Sequence, residues 1–151
     1  MSFQQKNITV SLVNFSLILG IFSIRVLQMI QSGSFTSTNV FRLWGLVIAL
    51  AVLVTIFATI LTHIVSAIID AIKTGNENPK IEDIEDERDR LIDLRGTRVT
   101  YFLASIGSFL AMLTYVLGQP ALVMFTLLIF FGVLAQVVGD ISRLYLYRRG
   151  F

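Results

Sequence analysis

The chain has 151 residues, of which 55% are hydrophobic and only 15% charged, against about 25% charged in an ordinary soluble domain. Its mean hydropathy is +0.78, and so little charge cannot cover a water-exposed sphere of this size. A soluble enzyme, a nucleic-acid-binding domain and a disordered chain are excluded, which leaves an integral membrane protein.

The first apolar run covers residues 8–30, long enough to cross a hydrocarbon core of about 30 Å at about 1.5 Å per residue. Lys6 precedes it, as in a signal peptide. The run is long for one, however, and no small-x-small cleavage site follows. A polar link over 31–39, rich in Ser and Thr, leads to a second run over 43–69 that continues as helix through Asp70 and Lys73. Gly75 suits a C-terminal helix cap, and Asn78-Pro79 suits a new helix start. Nine of the ten acidic residues lie between Asp70 and Asp93. From Lys80 to Arg98 the acids come early and the arginines late, the order a helix dipole favours. Ile81, Ile84, Arg88, Leu91, Ile92 and Arg95 recur at spacings of three and four. This spacing predicts an amphipathic helix over about 79–97, with a bend at Gly96 before the third span. Residues 99–139 carry no charge, and Gly118-Gln119-Pro120 divides them by a tight turn.

The expected fold is all-α and a single domain over 1–151. It is an integral membrane four-helix bundle of two transmembrane hairpins, with spans over about 8–30, 43–69, 99–117 and 121–141. A charged cytoplasmic helix lies between spans 2 and 3. Four spans put both termini on one side. That side holds Lys6, Lys73, Lys80, Arg88, Arg90, Arg95, Arg98, Arg143, Arg148 and Arg149. The other holds Arg42, with Arg25 inside a span near it. The positive-inside rule therefore predicts a multi-pass cell-membrane protein with both termini cytoplasmic. Trp44 and Tyr115 fall near the outer interface, and Tyr101, Tyr145 and Tyr147 near the inner one.

Four polar residues fall at similar depth below the cytoplasmic face: Asn14, His63, Ser105 and Gln136. At about 1.5 Å per residue they lie roughly 6 to 10 Å deep. They are expected to form one intramembrane polar layer, either as interhelical hydrogen bonds or as a site for a polar ligand, ion or proton. His63 is the sole histidine, so a multi-histidine metal site within one chain is excluded. No metal and no cofactor are expected. Arg25 lies about 8 Å from the outer end of its span. It either extends its guanidinium to the interface or turns inward to bind an anion or lipid headgroup. Asp140 and Arg143, like Asp70 and Lys73, read as an i,i+3 pair at the inner boundary. Ala104, Gly107, Ser108 and Ala111 in the third span, and Gly132, Ala135 and Gly139 in the fourth, form small-residue stripes expected to pack together.

The segment Asp86-Glu87-Arg88-Asp89, followed by Ile92, Arg95, Gly96 and Tyr101, resembles a family of small prokaryotic four-span membrane proteins. Members carry a D-E-R-D cytoplasmic motif before the third span and have no established activity. The resemblance implies the four-span fold and assigns no catalytic residue.

No nucleophile-base set, metal motif or phosphate loop is present in the sequence. The expected function is therefore non-enzymatic: an accessory, scaffold or regulatory subunit acting through the charged helix. Glu85, Asp86, Glu87, Arg88, Asp89 and Arg95 are the expected partner-binding residues. The expected partners are the lipid bilayer and either a second copy of the chain, as a homodimer, or another membrane or cytoplasmic protein. The alternative is a small dimeric transporter or channel that uses the polar layer around His63.

Overall fold

Each apolar run proves to belong to a helix that continues into polar sequence. The computed structural model describes residues 3–74 and 87–149, without the side chains of residues 3, 58–59, 61–63, 65–67 and 69–74. In chain order the helices are α1 (Phe3–Gln31), α2 (Ser37–Thr74), α3 (Glu87–Val116) and α4 (Ala121–Arg148). All four are long and apolar enough to cross a membrane. With 29, 38, 30 and 28 residues they measure roughly 42 to 57 Å. A hydrocarbon core of about 30 Å cannot contain them. Each therefore projects beyond the apolar run that marks it in sequence.

The overshoot corrects one expectation. Residues 87–97 are not a separate charged helix before the third span; they are the first turns of α3, which runs unbroken through Gly96. Residues 79–86, including Glu85 and Asp86, lie outside the described residues. The predicted stripe also shifts around the helix. Ile92 is fully buried, whereas Arg88, Leu91 and Arg95 are exposed. The face that α3 buries runs instead through Asp89, Ile92, Gly96 and Thr100. An apolarity count overlooks it, because it contains a carboxylate and a glycine.

Both hairpins close in the same way. At the end of α1, Ser34 N–H donates to Met29 O and Gly33 N–H to Ile30 O, with Gly33 at φ 67°. At the end of α3, Gln119 N–H donates to Thr114 O and Gly118 N–H to Tyr115 O, with Gly118 at φ 87°. These are two Schellman caps, in which glycine takes the left-handed position that L side chains disfavour. Pro120 then starts α4 without the backbone donor that a first turn cannot use.

Antiparallel pairing follows from the short turns. α4 is the hub: it packs along α3 and against α1, and α1 packs against α2. Ile18 and Phe22 of α1 meet Leu43 and Val47 of α2, with Ile129 and Val133 of α4 against them. Many other apolar side chains point outward; Phe57 is 67% and Val116 77% exposed. Such a surface suits lipid and would be an aggregation liability in water.

The α3–α4 seam is built from small residues, as the stripes predict, with one exception. Gly107 and Ala111 of α3 and Ala135 and Gly139 of α4 are buried. A Cβ on Gly107 would run into the Phe131 side chain, and one on Gly139 into Thr100. Gly132 is exposed with open space around it, and it lines an apolar groove against α2 instead. Phe131 occupies the place on the seam that the sequence suggested for Gly132.

Candidate functional site

The described polar side chains converge where α1 begins and α4 ends. On α1, Asn7, Ser11 and Asn14 follow one another at spacings of four and three, so they share one helix face. On α4, Gln136, Asp140 and Arg143 repeat those spacings. The two faces meet. Ser11 Oγ donates to Asp140 Oδ2 at 2.6 Å across 129 positions of chain. Gln136 Nε2 donates to Asp140 Oδ1 at 3.2 Å, and Arg143 Nη1 donates to the same oxygen at 3.0 Å. Asp140 is only 2% exposed. A buried carboxylate is costly unless both its charge and its lone pairs are met, and here three donors and one cation meet them.

Arg143 carries the network to α3. Its Nε donates to Asp93 Oδ1 at 2.9 Å and its Nη2 to Thr97 Oγ1 at 2.9 Å. Its stem lies over Gly96, where a Cβ would collide with it. Gly96 is thus a seat for the arginine rather than a bend. One turn further out, Tyr147 Oη donates to Asp89 Oδ1 at 2.7 Å. Of the three tyrosines expected near the inner interface, Tyr147 is buried against α3, while Tyr101 and Tyr145 are exposed.

Beside the network lies a half-open cavity of about 270 Å³, lined from all four helices. α1 contributes Asn7, Ser11 and Asn14, and α2 contributes Thr55. α3 gives Asp93, and α4 gives Gln136, Asp140 and Arg143. Ile8 and Val10 form apolar patches on its wall. Among the described residues no group of three or more metal-ligating side chains could hold an ion.

Of the expected polar layer, Asn14 and Gln136 line this cavity together. Ser105 does not join them: it sits on an exposed face of α3, because its helical position turns it away from α4. The His63 side chain lies outside the described residues, although its backbone is within α2. Arg25 is exposed on α1. Of the expected partner-binding set, Glu87, Arg88 and Arg95 are exposed, and Asp89 is engaged by the chain's own Tyr147. The sequence reading missed Ser11, Asp140 and Arg143 as site residues. The matching four-then-three polar spacings on α1 and α4 were the available signal. No family model, curated protein or solved structure matches the chain.

Proposed function

We propose that the chain is a small, non-enzymatic, multi-pass membrane protein that acts as an accessory, scaffold or regulatory subunit, with both termini cytoplasmic. The observation that carries this reading is the state of residues 87–98. They form the first turns of α3, fixed to α4 by the Asp93–Arg143 and Asp89–Tyr147 contacts. A helix held in this way presents its opposite face in a fixed geometry. That face carries Glu87, Arg90, Leu91, Leu94 and Arg98, all exposed, with Arg88 and Arg95 beside them. Exposed leucines among arginines are the composition of a docking surface, where an apolar anchor gives affinity and charge gives selectivity. The D-E-R-D motif then divides its work: Asp89 turns inward to hold the helix, and Glu87 and Arg88 remain outward. The test is the triple variant Arg88→Ala, Leu91→Ala, Arg95→Ala, purified in mild detergent from membranes of the native host. It is expected to insert normally and to lose a co-purifying protein that the wild type retains. An unchanged set of co-purifying proteins overturns the proposal.

The cavity at Asn14 and Gln136 favours a second reading, a small transporter or channel, because a polar chamber reached by all four helices is more than helix packing requires.

A further inference from the structure

We infer that the cavity bounded by Asn14, Asp93 and Gln136 is a binding site for a small organic ammonium cation. This deepens the second reading by naming its ligand class, and it concerns binding alone, which holds or fails without reference to flux.

Charge comes first. Two carboxylates, Asp93 and Asp140, share one guanidinium, that of Arg143. Among the described lining residues the formal charge is therefore negative. The guanidinium is also engaged: Nε donates to Asp93, Nη1 to Asp140 and Nη2 to Thr97. Among the described lining residues an incoming anion meets one cation, already paired with two carboxylates.

Hydrogen bonding points the same way. Both oxygens of Asp140 are occupied, by Ser11 on one side and by Gln136 and Arg143 on the other. Asp93 differs, for only its Oδ1 receives a hydrogen bond from Arg143, and its side chain is 62% exposed. The Asn14 amide lines the cavity and makes no hydrogen bond within the described structure. The Gln136 amide gives its N–H to Asp140, which leaves its carbonyl oxygen as an acceptor. An ammonium group, with up to three donors and no acceptor, matches a carboxylate and two amide carbonyls. The apolar patches at Ile8 and Val10 suit a short alkyl chain attached to it.

The probe is n-butylammonium, titrated into the full chain in detergent at constant ionic strength and followed by saturation-transfer NMR. Butyrate and butanol, of similar size but opposite or no charge, serve as comparisons. Saturable binding of butylammonium alone is expected. Asp93→Asn removes the charge and is expected to weaken binding at least tenfold. Because that change also disturbs Arg143, Asn14→Leu provides an independent variant: it replaces the amide acceptor with an apolar side chain of similar shape, leaves the ion pairs intact and is expected to abolish binding. The inference is overturned if butylammonium does not bind the wild type, if butyrate binds as well as butylammonium, or if Asn14→Leu binds like the wild type. Binding without transport in proteoliposomes supports the site and counts against the transporter reading.

Discussion

At the scale of single residues, Asp140 and Arg143 are the most consequential pair. Their side chains are 3% and 11% exposed, so neither can turn to water when the other is lost. Removing one partner of a buried pair typically costs about 3–5 kcal/mol, because an uncompensated charge is left behind. Arg143→Met is therefore expected to destabilise the protein by about that amount, seen as a lower melting midpoint by circular dichroism in detergent. Adding Asp140→Asn to that variant is expected to recover part of the loss, since it removes the orphaned charge. The sequence showed this pair as an unremarkable i,i+3 contact. Helix spacing can disclose a neighbour three residues away. It cannot disclose that Ser11, 129 positions distant, supplies the hydrogen bond that makes burial tolerable.

At the scale of elements, glycines divide into those that hold helices together and those that do not. Gly107 admits Phe131, and any added carbon would displace that ring. Gly107→Val is expected to destabilise by about 1–3 kcal/mol through overpacking. Gly132→Ala meets open space and is expected to be neutral or to stabilise by up to about 1 kcal/mol, the helix preference of alanine over glycine. Thermal melts of the two variants in one detergent make the comparison. The existence and approximate position of the four apolar helices were legible, because long apolar runs and a Gly-Gln-Pro break leave little choice. Where the helices end was not. Apolarity marks the region that lipid requires, whereas helix formation continues through Asp89, Asp93, Arg143 and Tyr147, which pair with one another beyond it. The stripe on α3 was misplaced for the same reason: its buried face is partly polar, and a search for apolar spacing selects Leu91 over Asp89.

At the scale of the whole molecule, the hairpin turns and the charged ends lie at opposite poles. Antiparallel pairing and the Ser11–Asp140 and Asp93–Arg143 contacts fix this arrangement. The bias of basic residues toward the charged pole supports a cytoplasmic location for it. The chain has no cysteine, so single cysteines can report sidedness directly. Cysteine at Ser32 or Gln119 is expected to react with an impermeant maleimide added outside intact cells. Cysteine at Arg149 is expected to react only after permeabilisation. The opposite pattern reverses the orientation.

The central position of α4 has a consequence for how the protein is made. The chain leaves the ribosome from its N-terminal side, so α1, α2 and α3 are all synthesised before the helix against which α1 and α3 chiefly pack. Until α4 arrives, Ser11, Asp93 and Asp89 lack the partners they bond in the finished structure. The α1–α2 hairpin can close early, but α3 has no such companion and must wait for α4. Assembly is thus completed by one late event, the docking of α4, and a cell that monitors unpaired membrane helices would judge this protein at that step.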